Sequence, residues 1–308
     1  MITERLVVGE EVAEAVAAAR PVVALESTLI SHGLPYPQNL EVARASEAAV
    51  RESGAVPATV AIHDGRLLVG LDDAALSALA TAPAGSVLKA ARPSLAVALA
   101  GGGWAATTVS ATMIAASAAG IRVFATGGIG GVHRGAIGGS SPTLDVSSDL
   151  EELGRTPMVV VCAGPKAILD VPATLEYLET HGVPVVTIGQ AELPGFYTRS
   201  SGLASPQTAP DVAGAAAIAR VHLELALGGL LVCVPAPEAE ALPGDVARAA
   251  VERAIREAEA AGIHGPATTP WLLARIAELT DGASIRANTA LIVNDARVAG
   301  QLAVALGD

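Results

Sequence analysis

Apolar runs of strand length recur along this chain of 308 residues and leave few folds open to it. Val22–Leu25, Thr59–Ile62, Leu67–Gly70, Arg122–Ala125, Met158–Ala163, Val185–Ile188 and Leu230–Val234 are rich in Val, Ile, Leu and Ala and nearly unbroken. A strand with one wet face alternates apolar and polar residues, whereas a strand covered on both faces does not. Between the runs lie helical patterns over Leu40–Glu52, Thr107–Ala119, Lys166–Thr180, Val212–Ala226, Pro243–Ala261, Pro270–Leu279 and Asn288–Leu306. Strands alternating with helices predict a doubly wound α/β architecture, layered α/β/α, with a large mixed, mostly parallel central sheet. No linker rich in Ser, Pro or Gly divides the chain and no internal repeat is visible. Residues 1–308 are therefore expected to form a single domain, with Gly135–Thr143 as a loop within it.

Composition narrows the function classes. With 51% hydrophobic and 16% charged residues the chain can bury a real core and is not expected to be disordered. A formal net charge of −12 repels nucleic-acid backbones and anionic membranes, so neither is an expected partner. Pro93–Ile121 carries no charge, but it is mostly Ala, Gly, Ser and Thr with Gly101-Gly102-Gly103 in its middle. A spanning helix sustains Leu, Ile, Val or Phe, so two buried elements around a glycine turn are expected instead. Met1-Ile2-Thr3-Glu4-Arg5 shows no secretory signal. Cys162 and Cys233 are isolated in apolar strands without metal spacing, which suits a reducing compartment and a cytoplasmic location.

In sheets of this kind ligands collect beyond the carboxyl ends of the strands, so the strand ends are where chemistry is expected. Val22–Leu25 ends in Glu26, where partial desolvation would raise a carboxyl pKa and suit a general acid. Arg122–Ala125 ends in Thr126-Gly127-Gly128-Ile129-Gly130-Gly131-Val132-His133-Arg134, the shape of a loop whose backbone amides approach a phosphate. Asp145-Val146-Ser147-Ser148-Asp149 could hold a hard divalent cation, or Ser148 and Asp149 could cap a helical turn at Leu150–Leu153. Met158–Ala163 ends in Gly164-Pro165-Lys166, where a helix is expected to begin. A helix dipole contributes only about 0.3–1 kcal/mol, so a free amine at Lys166 would need desolvation as its main cause. Of 19 basic residues only Lys89 and Lys166 are lysine. Under such a bias toward arginine, a retained lysine suggests a need for an amine that can lose its proton. Lys89 with Arg92 could hold a phosphate as point charge plus fork.

Taken together, these segments resemble the pseudouridine-5′-phosphate glycosidase family, which includes pigment-pathway relatives. The resemblance rests on Ala24-Leu25-Glu26-Ser27-Thr28 with Ser31-His32-Gly33-Leu34-Pro35-Tyr36-Pro37-Gln38-Asn39, and on Ala106-Thr107-Thr108-Val109 with Thr112-Met113. It continues through Ala119 to Gly135, Val160-Val161-Cys162-Ala163-Gly164 with Lys166, Thr174–Thr180, Phe196-Tyr197-Thr198-Arg199, and Thr269-Pro270 with Leu272-Leu273-Ala274-Arg275. It covers nearly the whole chain in order. The resemblance implies cleavage of the C–C glycosidic bond of pseudouridine 5′-phosphate to uracil and ribose 5-phosphate, with Mn²⁺ as cofactor and a homotrimer as the assembly. It makes Lys166 the nucleophile, Glu26 the proton donor and Asp145 the metal ligand. Lys89, Val109, Ser147, Ser148 and Asp149 become substrate contacts, with His133 and Asn288 added for phosphate and base.

The chemistry accounts for those residue types. A C–C glycosidic bond offers no leaving heteroatom, so the two-carboxylate scheme of ordinary glycosidases does not apply. An amine that captures C1′ of a ring-opened sugar as an imine makes such a bond breakable. Two other readings use the same residues: a Schiff-base aldolase or lyase on another sugar phosphate, and a sugar-phosphate-binding protein without catalysis. The chain departs from the family pattern in three places. The Ala136–Asp145 segment is longer and lacks an acidic residue after the alanine, the Lys89 segment lacks an Arg-Asp pair, and Trp104-Ala105 replaces an Asn-Gly turn.

Overall fold

A computed structural model describes residues 2–138, 142–263 and 268–307. Its centre is one sheet of eleven strands. Along the main path the order is Leu6–Val8, Arg66–Val69, Val56–His63, Val22–Leu25, Val123–Ala125, Val159–Cys162, Leu230–Cys233, Val185–Ile188 and Gln207–Ala209. The pairs from Val56–His63 onward along that path are parallel. Antiparallel pairing enters only where Val56–His63 meets Arg66–Val69 and Ala105–Thr107, among the described pairs of this sheet. The mixed, mostly parallel sheet expected from the apolar runs is the one observed.

Each central strand is buried on both faces, and consecutive residues feed different layers. Val160 and Cys162 pack with Met113, Leu150, Leu153 and Leu178 from helices on one face. Val159 and Val161 pack with Ala215, Ala219, Ala296 and Leu302 from helices on the other. That is why these strands read as continuous Val/Ala runs. The longest helix, Ala283–Gly307, is long and apolar enough on length and composition to cross a membrane. Here it lies against the sheet, with Leu291, Ala296, Ala299 and Leu302 fully buried.

Two expectations need correction. The helix placed at Thr107–Ala119 runs from Val109 to Ala118, because Ala105–Thr107 is a strand that brings in the Leu88–Ala90 strand as its parallel partner. Both strands are only three residues long and rich in alanine, too short for a strand period to register. The helix placed at Lys166–Thr180 starts at Val171 instead. Asp170 caps it by accepting from the Ala173 amide at 3.1 Å, with Pro172 in the first turn, a stronger start signal than Pro165. Lys166 therefore lies in a turn, outside any helix dipole. Of the expected Gly135–Thr143 loop, residues 139–141 lie outside the described residues.

Candidate active site

Two neighbouring parallel strands end side by side at the acid. Leu25 registers with Ala125, and Ala125 with Val161 of the next strand. The residues that follow, Glu26 and Thr126, thus face each other, and the Thr126 hydroxyl donates to Glu26 Oε1. Beyond Glu26 the chain is tied down. The Ser27 amide donates to the Thr107 carbonyl at 3.3 Å and the Thr28 hydroxyl to the same carbonyl at 2.8 Å. Thr107 belongs to the short strand whose partner carries Lys89.

Lys166 is held from the Val159–Cys162 side. Gly164 takes a left-handed conformation (φ +92°) that a side chain would disfavour. The turn it opens is clamped to the glycine loop: the Ile129 amide donates to the Gly164 carbonyl at 3.2 Å and the Lys166 amide to the Ile129 carbonyl at 3.1 Å. The outcome is a cleft of about 960 Å³, mouth included, into which Glu26, Lys89, Lys166 and Asn288 all project. Its walls are otherwise largely apolar, with Leu29, Ile30, Leu273 and Ile292 among them.

Burial sets the electrostatics. It pushes the Glu26 carboxyl above the usual carboxylate range, while the Lys166 ammonium, the Thr126 hydroxyl and Lys89 pull it back and the Asp149 charge adds to the rise. Lys89 keeps much of its length exposed. Its amine on the cleft side is nonetheless pushed below the ordinary lysine value by desolvation first and by the Lys166 charge second, against Glu26 and Asp149. A carboxyl whose pKa burial raises and two amines in one cleft are the ingredients of imine chemistry.

The remaining expected site residues lie outside the lining of the cleft. Val109, Ser147, Ser148, Asp149, His133 and Asp145 are not among the described residues that line the cleft. Asp149 is buried, and its two oxygens accept from the Ser110 and Gly130 amides, each at 3.0 Å. Ser148 meets the Ser110 hydroxyl at 3.2 Å. The cap of the Ser148–Leu153 helix is Ser147, whose hydroxyl accepts from the Asp149 amide at 3.2 Å; Ser148 and Asp149 do not cap it. Val109 is the first residue of its helix and buried. His133 pairs with Leu169 in a two-stranded ribbon, at the edge of which Arg134 faces a different surface groove.

Of the glycine loop, Gly127 and Gly128 line the cleft, whereas the amides beyond them are turned to internal partners. The Ile129, Gly130 and Val132 amides are committed to Gly164, Asp149 and Thr174. Gly130 is required for another reason: a Cβ there would lie 2.2 Å from the Ser147 hydroxyl oxygen. Two cleft residues escaped assignment of a role from sequence. Thr126 stands directly after an apolar strand, so the rule that selects Glu26 selects it as well. His32 lines the cleft mouth with Nδ1 2.7 Å from the Ser31 hydroxyl, and burial and then the Lys89 charge lower its pKa.

For Mn²⁺ the donor set is sparse. Among the described residues no group of three or more His, Cys, Asp or Glu is gathered to hold a metal ion. Asp145 is exposed, its carbonyl accepts from the His133 amide at 3.0 Å, and its carboxylate has no hydrogen-bond partner among the described residues. One free carboxylate completed by water fits a weakly held hard divalent ion.

Residues 11–305 match the family described as indigoidine synthase A like protein. A curated relative from Paracoccus denitrificans (strain Pd 1222), named pseudouridine-5′-phosphate glycosidase, is 56% identical over 297 residues, covering 96% of each chain. One of the same name from Caldanaerobacter subterraneus subsp. tengcongensis is 53% identical, covering 96% of this chain and 95% of that one. Among solved structures, a prealnumycin C-glycosynthase in complex with ribulose 5-phosphate superposes with a TM-score of 0.89 at 40% identity, covering 98% of this chain and 97% of that one. An indigoidine synthase A-like protein from Thermotoga maritima superposes with 0.86 at 33% identity, over 98% and 97%. By sequence and by fold, the chain belongs to the indigoidine synthase A-like family, together with the pseudouridine-5′-phosphate glycosidases.

Proposed function

We propose that this chain cleaves the C–C glycosidic bond of pseudouridine 5′-phosphate, giving uracil and ribose 5-phosphate through an imine at Lys166. The observation that carries the reading is the convergence of Glu26, with its raised carboxyl pKa, and Lys166 on one cleft. The names of relatives above 50% identity support the substrate.

The steps balance with these two residues and one water. Glu26 protonates the ring oxygen as the free amine of Lys166 attacks C1′, so the C1′–O4′ bond breaks and a 4′-hydroxyl forms. The new ammonium returns its proton to Glu26. The nitrogen lone pair then expels C5 of the base, forming an iminium at C1′. That expulsion is coupled to delivery of the Glu26 proton to C5, so the electrons of the C1′–C5 bond restore the C5=C6 double bond and neutral uracil leaves. Water hydrolyses the iminium to release ribose 5-phosphate and free Lys166.

In this reading Lys89 is a substrate contact at the phosphate end, and Asn288 presents a carboxamide to the base from the opposite wall. Val109, Ser147, Ser148, Asp149 and His133 shape the phosphate end from outside the cleft lining. Mn²⁺ held by Asp145 and water would supply polarisation of a substrate oxygen. The family likeness also supports a homotrimer and a cytoplasmic location.

Borohydride reduction in the presence of ribose 5-phosphate, followed by peptide mass spectrometry, tests the reading. A pentitol phosphate adduct on Lys166 is expected, and uracil release from pseudouridine 5′-phosphate but not from uridine 5′-phosphate. Full turnover by Lys166→Ala would overturn the imine mechanism.

A further inference from the structure

We infer that Phe196 is a positioning residue that wedges the Lys166 turn against the glycine loop, an inference that rests on the Lys166 reading above. The chain contains only two phenylalanines. Phe124 lies in the sheet core, whereas Phe196 sits in an irregular connection and lines the cleft. Its backbone is left-handed, with φ +65°, a strained conformation for a bulky side chain. Strain of this kind persists only where the surroundings over-determine it, and here they do. The Gly195 amide donates to the Thr198 carbonyl at 3.1 Å, the Leu242 amide to the Tyr197 carbonyl at 2.8 Å, and the Arg199 guanidinium to the Ala236 carbonyl at 2.9 Å. The Tyr197 ring meets the Phe196 ring edge-on at 4.7 Å between centroids.

What the strained residue reaches is the underside of the site. A Cβ placed on Gly128 would lie 2.6 Å from Phe196 Cε2 and 2.9 Å from the Gly164 carbonyl oxygen, so ring edge, loop and turn meet at one point. A Cβ on Gly164 would lie 3.2 Å from the Pro194 carbonyl oxygen, two residues before the ring. Gly164 and Ile129 are the residues that clamp Lys166. With Phe196 only 3% exposed, the ring has no free face on which a base could stack. Its ring edge abuts the glycine loop at Gly128, beside the Gly164 carbonyl of the turn that carries the amine, and its part is to hold Lys166 Nζ in line with C1′.

The test uses the full-length protein and ribose 5-phosphate as the probe, with the rate of borohydride-trapped Lys166 adduct read by mass spectrometry. Phe196→Leu keeps apolar bulk and loses the ring edge. We expect trapping and kcat for pseudouridine 5′-phosphate to fall roughly 10²-fold, the scale of a misplacement of about 1 Å, while KM changes less than about twofold. Trapping at the wild-type rate would overturn the proposal, as would a loss of ribose 5-phosphate affinity in proportion to the loss of rate, which marks a merely structural role. Should Phe196→Leu not fold, Gly128→Ala displaces the same ring from the other side and must slow trapping in the same way. Absence of any adduct in the wild-type protein removes the Lys166 reading and the wedge together. A wild-type adduct formed equally fast by both variants removes the wedge alone.

Discussion

The Thr126 hydroxyl donates to the Glu26 carboxyl across the ends of two adjacent parallel strands. A donor to a carboxylate favours its ionised form, so this bond opposes the rise in pKa that burial causes. Glu26 acts as an acid only while protonated, and kcat/KM should fall as pH rises through its pKa. Thr126→Val removes the donor and should shift that alkaline limb of the kcat/KM profile to higher pH. Glu26→Gln should abolish the limb and cost about 10²–10⁴-fold in kcat. A limb that stays in place in Glu26→Gln belongs to another group.

Lys89 acts on the same carboxyl from the other side, since its charge helps to hold the Glu26 pKa down. Lys89→Met should therefore also move the alkaline limb upward, and it removes a cation from the proposed phosphate end. Loss of a charged hydrogen bond of about 1.5–3 kcal/mol corresponds to a KM for pseudouridine 5′-phosphate raised roughly 10- to 150-fold. Lys89→Arg keeps the charge, so the limb should stay while KM rises only in part. Equal KM values for Lys89→Met and wild type would remove Lys89 from the substrate site.

The strand ends were legible because desolvation writes itself into sequence. Val22–Leu25 and Met158–Ala163 are apolar through their length, so Glu26 and Lys166 stand out as the first ionisable groups after each. The arginine bias separated Lys89 and Lys166 from the background, and both do line the cleft. The glycine loop was legible as an element and illegible in purpose. Its amides read as an anion cradle, but the anion that occupies the Gly130 amide is Asp149, nineteen positions along. No local pattern encodes that pairing, which depends on the helix–loop packing that buries Asp149. The helix start was misplaced for a similar reason: Pro165 is a helix starter locally, but the Lys166 amide is taken by the Ile129 carbonyl and the helix begins at the Asp170 cap instead. Phe196 has no role legible in the sequence, because a left-handed φ at a non-glycine leaves no trace there.

Asp149 joins two backbone segments by accepting from the Ser110 and Gly130 amides. Asp149→Ala leaves the buried Ser110 amide and the half-buried Gly130 amide without acceptors, a buried one costing about 1–3 kcal/mol, so denaturant midpoints should fall by the equivalent of about 2–4 kcal/mol. Asp149→Asn keeps one acceptor oxygen and should lose about half of that. Equal midpoints for Asp149→Ala and wild type would show that water replaces the carboxylate without loss.

Asp295 makes the opposite prediction. It lies in the long C-terminal helix, 1% exposed, and neither carboxyl oxygen has a hydrogen-bond partner among the described residues. Burial pushes its pKa well above the ordinary aspartate value, with the nearby Cys162 adding to the rise and the Ala163 amide opposing it. Because the folded-state pKa is the higher one, the contribution of this group to stability is fully present below the unfolded value of about 4. It is lost as pH rises toward and through the folded value. At neutral pH the protein thus carries the cost of keeping this acid buried, either protonated or charged without a partner. Asp295→Asn has nearly the same shape and no proton to lose. The stability difference between variant and wild type should be small near pH 4 and should grow in favour of Asp295→Asn as pH rises, reaching about 1–3 kcal/mol. Urea melts of both proteins across that range measure it. A difference that stays flat with pH would mean that Asp295 does not change its protonation on folding.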